Sequence, residues 1–272
     1  MPELPEVETT RRGILSRLRG RRIAAVAVLE NRLRWPVTPG LAALLGGQSL
    51  LTIDRRGKYL LFRFTIGTLL VHLGMSGSLR VLTSPAKPRR KHDHLEFCWD
   101  DGSLLRYHDP RRFGAVLWVG EEASKHPLLA ALGPEPLEAD FDGAYLFRRS
   151  RGRHSSVKQL LMDAGVVVGV GNIYANEALF RAGIDPRRAA GRIALARYLT
   201  LATSVRAVLE AALARGGTTL RDYVDSDGAP GYFALELGVY GRAAQPCVRC
   251  GTPIRMLHHA QRSTFYCPHC QR

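Results

Sequence analysis

The chain has 272 residues, 46% of them hydrophobic, with 39 Lys and Arg against 24 Asp and Glu, for a formal charge of +15. That length holds two modest domains, each with its own core, and a polyanion such as nucleic acid is the partner that would relieve so much self-repulsion. No apolar run reaches transmembrane length, no long helix pairs a basic face with an aromatic one, and the first twenty residues lack a signal-type apolar core, so a membrane partner is set aside and a cytoplasmic location is expected.

Pro2 and Glu3 come first in chain order. With Met1 removed, which a small second residue generally allows, the N-terminus is a secondary amine. An α-amino group has an ordinary pKa near ~8, so it is far more nucleophilic at neutral pH than a lysine and can form an iminium ion with an electrophilic carbon. Glu3 beside it could give or take a proton. The same residues also fit an extended tail in which Pro2 has no role. Residues 5–19 then read as a helix: Pro5 suits a first turn, Glu6 and Glu8 suit the positive end, and Val7, Ile14, Leu15 and Leu18 share a face.

From residue 22 to 119 the pattern becomes short strand-like runs, at 23–29, 59–64, 68–72, 95–99, 104–107 and 115–119, with Asp100-Asp101-Gly102 as a hairpin signal. Closely spaced strands predict an antiparallel sandwich or barrel, not a parallel α/β sheet. Within this region Lys58 follows Arg55 and Arg56 at the edge of an apolar strand. Neighbouring cations disfavour its charged form, as an acid/base lysine requires, although an ordinary surface lysine fits the segment too. Two glycine-punctuated turns, around Met75 and at Asp109–Gly114, could present Met75, Arg111 and Phe113 as a wedge that unstacks a duplex, or could cap strand ends.

Leu132-Gly-Pro-Glu-Pro136 breaks the pattern and marks a linker. The period then becomes helical. Val157, Leu160, Leu161 and Ala164 mark one helix, residues 173–180 another, and residues 193–214 a long third. The basic stretch from Arg148 to Arg153 leads into the helix carrying Lys158; it is a solvated charge run or a phosphate grip. Gly165 to Glu177 contains Gly169-Val-Gly171-Asn172. Glycines ahead of a helix let backbone amides approach a phosphate, with Asn172 as cap or contact. No strand precedes this Gly-x-Gly and no P-loop lysine follows it, so a helix–turn–helix on a nucleic-acid backbone fits better than a nucleotide loop. Residues 216–240 read as a long loop.

Four of the five cysteines close the chain as Cys247-x2-Cys250-x16-Cys267-x2-Cys270. Two such knuckles make a tetrahedral zinc site with no open position, so the metal is structural. Four unrelated cysteines is the alternative. Cys98, alone in an apolar strand, reads as a core thiol.

Together these motifs closely resemble the formamidopyrimidine-DNA glycosylase family. The resemblance spans essentially the whole chain, through PELPEVE, RRGKYLL, HLGMSGSLR, KHDH, DPRRFG, GVGNIYANE and AQRSTFYC. It implies an α+β protein: a β-sandwich domain with an N-terminal helix over residues 1–133, a linker at 134–150, a helical DNA-binding domain with a helix-two-turn-helix motif at 151–240, and a zinc-finger hairpin at 241–272. It implies a monomeric bifunctional glycosylase and AP lyase. Such an enzyme excises 8-oxoguanine and formamidopyrimidines from duplex DNA through a Pro2 Schiff base, then nicks by β,δ-elimination in base excision repair. Glu3 would be the proton donor, Lys58 a second acid/base, and Arg262 an aid to δ-elimination. His92, Arg111, Arg153, Lys158 and Asn172 would contact DNA, Met75, Arg111 and Phe113 would fill the void left by the flipped base, and residues 218–231 would cover that base. One structural Zn2+ is the implied cofactor.

The chain departs from the family pattern at residues 153–157, Arg-His-Ser-Ser-Val, where relatives usually carry a Thr-x-Ile-like triplet. The related endonuclease VIII, which prefers oxidised pyrimidines, usually begins Pro-Glu-Gly-Pro and lacks the wedge set, so purine lesions are expected. Two rivals remain. A non-enzymatic zinc-finger DNA-binding protein leaves Pro2, Glu3 and Lys58 without purpose, and an RNA-modifying enzyme has only the charge behind it.

Overall fold

A computed structural model describes residues 2–83, 88–216, 237–259 and 261–272. They form two compact units, one ending at Ala130 and one beginning at Ala131 and including the C-terminal residues. Most of the long loop read at 216–240, including its segment 218–231, lies outside the described residues.

The first unit opens with helix α1 (Leu4–Leu18), which starts at Leu4-Pro5 and buries Leu4, Val7, Ile14 and Leu18. After it come β1 (Ile23–Val28), the short α2 (Leu41–Leu45), β2 (Leu50–Arg56), β3 (Tyr59–Phe64), β4 (Gly67–His72), β5 (Ser78–Leu82), β6 (Asp93–Trp99), β7 (Leu104–His108) and β8 (Ala115–Gly120), and α3 (Pro127–Ala130) ends the unit. The strands make two four-stranded antiparallel sheets, β1-β6-β7-β5 and β2-β3-β4-β8. Phe62 and Phe64 of β3 and Leu69 and Val71 of β4 meet Phe97, Trp99 and Leu105 in one apolar cluster. Each such side chain contributes roughly 1.5–3 kcal/mol when fully buried. The expected turn forms between β6 and β7. Gly102, at φ 80°, donates to the Trp99 carbonyl, and the Asp101 carboxylate accepts the Ser103 N–H. α1 lies against β2, β3 and β5, so the N-terminus of the chain is built into the sandwich.

In the second unit, α4 (Gly143–Ser150) is capped by Asp142, whose carboxylate accepts the Tyr145 N–H, and packs against α7 (Leu195–Ala214). Residues 143–150, read as linker from the sequence, are therefore a helix with its own buried face at Leu146. α5 (Val157–Met162) starts at a Ser156–Gln159 capping box, and α6 (Asn172–Arg181) follows across the turns of residues 163–171. This pair is the helix-two-turn-helix. The chain ends in the hairpin β9 (Arg255–His259) and β10 (Arg262–Tyr266), paired from Arg262 with His259 to Tyr266 with Arg255. The architecture is α+β, with the sandwich, helical region and hairpin expected.

Candidate nucleic-acid interface and N-terminal nucleophile

Pro2 is buried and Glu3 is 2% exposed, so the N-terminal residues are packed and not a loose tail. Glu3 caps α1 in a capping box with Glu6: the Glu6 carboxylate accepts the Glu3 N–H at 2.8 Å, and the Glu3 carboxylate receives the Glu6 amide. Two residues after Glu6, Glu8 gathers three guanidinium groups, Arg11 and Arg12 at 2.8 Å and Arg55 at 3.2 Å. Burial pushes the Glu8 carboxyl up, but these guanidinium groups outweigh it and hold the pKa down at about 2. Arg55 also donates to the Gly57 carbonyl at 3.1 Å. Glu8 thus ties α1 to the β2–β3 turn on which half-buried Lys58 sits. It also pairs with Arg55, one of the two cations expected to act on Lys58.

His72, at the end of β4, was not singled out from the sequence. Its ring lies 4.8 Å from that of Tyr59, and its Nδ1 accepts the Gly74 N–H at 3.1 Å, which leaves the proton on Nε2. Burial, with the nearby charges of Lys58 and Arg34, lowers its pKa to about 4 against the opposing pull of Asp109. The imidazole is neutral at physiological pH and is a hydrogen-bond donor beside Lys58. A His depressed from its ordinary 6.5 to about 4 gives stability that is complete above pH 6.5 and lost as pH falls through 4. The expected loss is about 3 kcal/mol. Melting temperatures at pH 7, 5 and 4 check this: the native protein should lose more than a His72→Gln variant, and equal losses would contradict it.

The turn after β4 and the loop between β7 and β8 dock backbone to backbone. Gly74, at φ 64°, has no room for a β-carbon, which would fall 2.5 Å from the Phe113 carbonyl carbon, and one on Gly114 would strike the Tyr107 hydroxyl. Half-buried Met75 and exposed Arg111 and Phe113 are therefore presented by adjoining turns. The Arg111 guanidinium lies 4.7 Å from the centre of the Phe113 ring. Half-buried His92 occupies a turn of its own at φ 76°, before β6.

In the second unit the helix-two-turn-helix and the hairpin are joined by buried polar bonds. Lys158 was expected to contact phosphate, yet it is only 2% exposed, and its Nζ donates to the Ser263 carbonyl at 2.9 Å and the Thr264 hydroxyl at 2.7 Å. Asn172 is the first residue of α6, not its cap, and donates to the same Ser263 carbonyl at 3.1 Å. Asn176, one turn on, accepts the Phe265 N–H at 2.8 Å. Glu177 accepts the backbone N–H groups of Gly238, Val239 and Tyr240, and Tyr240 rests edge-on to Phe265. Asn176 and Glu177 were missed as site-building residues; their signal was a pair of polar side chains inside an otherwise apolar helix. These contacts hold β10, which begins at exposed Arg262. Arg153 is half-buried and pairs with Asp163 at 2.9 Å.

Lys158→Met keeps the length of the stem but removes the donor, leaving the Thr264 hydroxyl without it while the Ser263 carbonyl keeps Asn172. A buried group so orphaned costs about 1–3 kcal/mol. The expected result is a lower melting temperature with faster metal release to a chromogenic chelator; unchanged values for both would contradict it.

The sulfurs of Cys247, Cys250, Cys267 and Cys270 lie within 4.8 Å of one another, with separations of 4.0, 3.5 and 3.4 Å between Cys247 and Cys270, Cys250 and Cys267, and Cys250 and Cys270. A tetrahedron with Zn–S bonds of ~2.3 Å needs sulfurs about 3.8 Å apart, so the set fits one structural zinc ion. Phe180 of α6 packs with Ile254, Val239 and the buried Cys247 and Cys267, which seats this knuckle on the helical unit.

Three family models match the chain: the formamidopyrimidine-DNA glycosylase N-terminal domain over residues 1–116, the formamidopyrimidine-DNA glycosylase H2TH domain over 132–224, and the zinc finger found in FPG and IleRS over 244–272. Formamidopyrimidine-DNA glycosylases of Methylococcus capsulatus and Alkalilimnicola ehrlichii are each 59% identical to it, over the full length of both chains. Among solved structures, a Lactococcus lactis FPG mutant in complex with Fapy-dG-containing DNA is 35% identical, with a TM-score of 0.90 and full coverage of both chains. A MutM complex with carbocyclic 8-oxo-G DNA is also 35% identical at a TM-score of 0.89, and wild-type Lactococcus lactis FPG with oxidised-pyrimidine DNA is 35% identical at 0.91, each again covering both chains in full.

Proposed function

The chain belongs to the formamidopyrimidine-DNA glycosylase family, and from that premise we propose that it is a bifunctional glycosylase and AP lyase of bacterial base excision repair, acting on oxidised purines in duplex DNA. As an enzyme of this family it is a DNA glycosylase with a structural zinc finger. The carrying observation is Pro2, packed at the head of α1 beside buried Glu3, in the same unit as Lys58.

The basic surface binds the duplex electrostatically, and Met75, Arg111 and Phe113 enter the stack as the damaged nucleotide turns out. The Pro2 nitrogen attacks C1′ while the electron pair of the glycosidic bond leaves with the base, which takes up a proton. Ring opening of the sugar, with Glu3 as proton donor, gives the iminium. Lys58 serves the β-elimination that breaks the 3′ phosphate bond, and Arg262 the δ-elimination that breaks the 5′ one. His72, neutral with its Nε2 proton available, adds a donor next to Lys58. Arg153 and Asn172 serve the DNA backbone, and His92 the lesion-proximal strand. Lys158 acts on the DNA through the hairpin that it holds. In this reading residues 1–133 form the catalytic domain, 151–240 the helical DNA grip and 241–272 the zinc finger, with α4 joining the grip.

The Met75, Arg111 and Phe113 set supports a purine preference; the relatives' complexes hold Fapy-dG, 8-oxo-G and an oxidised pyrimidine. Borohydride reduction with a duplex carrying 8-oxoguanine tests the reading. A stable protein–DNA adduct is expected. Tight binding with no adduct would favour the zinc-finger binding protein instead. The site of action would be the cytoplasm, at the nucleoid.

A further inference from the structure

Four candidate DNA contacts of the first unit sit on three separate turns: Met75 between β4 and β5, His92 before β6, and Arg111 with Phe113 between β7 and β8. One buried residue bonds to all three turns. Asp109 is fully buried. Its Oδ1 accepts the Ser76 hydroxyl at 2.8 Å, and its Oδ2 accepts the Gly114 N–H at 2.9 Å and the Tyr107 hydroxyl at 3.2 Å. Its backbone N–H donates to the His92 carbonyl at 3.0 Å, and its own carbonyl accepts His94 Nε2 at 2.8 Å and the Arg112 N–H at 3.2 Å. The Ser76 oxygen, held by Oδ1, accepts the Arg111 N–H at 3.2 Å.

A carboxylate suits this point, because three donors converge on its two oxygens. An amide keeps one oxygen for Gly114 and Tyr107 and can bond the Ser76 hydroxyl only by making it an acceptor, so the hydroxyl loses the oxygen to which it donates. Burial, then the Asp109 charge, push the Tyr107 phenol well above its ordinary range, so that side chain stays a donor. The backbone of residues 113 and 114 is already pressed against Gly74, so a change in the Asp109 bonds moves the Met75 turn and the Arg111–Phe113 loop together.

We propose that Asp109 is the positioning residue of the wedge: it fixes Met75, Arg111 and Phe113 at one height, in register with the His92 turn, without touching DNA itself. The inference rests on the proposed glycosylase reading, because a wedge matters only where a base is extruded. It predicts a split. A lesion inside a duplex needs extrusion before chemistry, whereas an abasic site in a single strand has no base to extrude.

The test compares wild type with Asp109→Asn in two single-turnover reactions: 8-oxoguanine release from duplex, and borohydride adduct formation with a single-stranded abasic oligonucleotide. Losing a buried hydrogen bond to a charged group predicts about 10- to 100-fold slower release from duplex, against a change of within about threefold for the single-strand adduct. Ser76→Ala, which removes the bond to Asp109 and the one from the Arg111 N–H but no charge, should show the same split at roughly fivefold, and it carries the test if Asp109→Asn does not fold. Equal losses in both reactions at an unchanged melting temperature, or no loss in either, would overturn the proposal. Fluorescence of a 2-aminopurine placed next to the lesion reads wedge insertion without chemistry. If wild type forms no abasic adduct, the Pro2 reading fails. A slower fluorescence rise in Asp109→Asn would still support the positioning role, and an identical rise would refute it.

Discussion

A chain that keeps Met1 ahead of Pro2, or whose N-terminal amine is acetylated, is expected to lose glycosylase activity and covalent adduct formation altogether while still binding lesion duplex. An amide nitrogen has no available lone pair for C1′. The loss of a nucleophile is on the order of 10³-fold or more, as for other covalent enzymes. The comparison is clean because Glu3 and Glu6 build the capping box from their own side chains and amides, so the start of α1 survives without the free amine. Mass spectrometry of the intact protein establishes whether Met1 is present, and single-turnover excision is then measured on each form. Activity in a form proven to carry a blocked terminus would contradict the assignment of Pro2.

The second large effect is expected at the zinc finger. Cys247→Ser, or prolonged chelation, removes a ligand from a site whose folding energy is metal-binding energy. The apolar seat formed by Phe180, Val239 and Ile254 has two of the ligand cysteines in it, so losing the metal also dissolves the packing that holds the hairpin to α6. Duplex affinity is expected to fall by about 100-fold or more, since the basic residues of the hairpin are dispersed and each phosphate contact adds to the salt-dependent part of binding. The slope of log K against log salt should become shallower. Fluorescence anisotropy at several salt concentrations, with circular dichroism to show that the helical unit persists, measures both. Unchanged affinity in a metal-free protein would separate the hairpin from DNA binding.

What the sequence made visible was local. The apolar spacing of residues 7, 14, 15 and 18, the short strand-like runs, the Asp100–Gly102 turn and the cysteine knuckles are each written within a few residues of chain, and each formed, while β2 and β5 lie outside the runs read from the sequence. Helix α4 was hidden because a short basic segment follows the Gly-Pro-Glu-Pro break and lacks the length that makes periodicity legible. The basic stretch around it is largely exposed, yet its guanidinium groups are tied to the fold. Arg149 donates to the Gly165 carbonyl, Arg151 to the Ile193 carbonyl and Arg153 to Asp163. The side chains that set the site depend on pairings distant in sequence. Ser76 and Asp109 are 33 residues apart, and Lys158 and Thr264 are 106. No window of sequence shows that Lys158 points into the protein, or that His72 holds its proton on Nε2. His72 did carry one signal, a polar residue closing an otherwise apolar strand. Asp109 carried another, an acidic residue directly before the Pro-Arg-Arg run.

The central claim is that the covalent bond to the substrate is made by the N-terminal nitrogen. Its most direct measurement is peptide mapping of the borohydride-reduced adduct with a single-stranded abasic oligonucleotide after protease and nuclease digestion. The deoxyribose remnant is predicted on the peptide that begins at Pro2, at the α-nitrogen. A remnant on Lys58, or on any other lysine, with the Pro2 peptide unmodified, would contradict it.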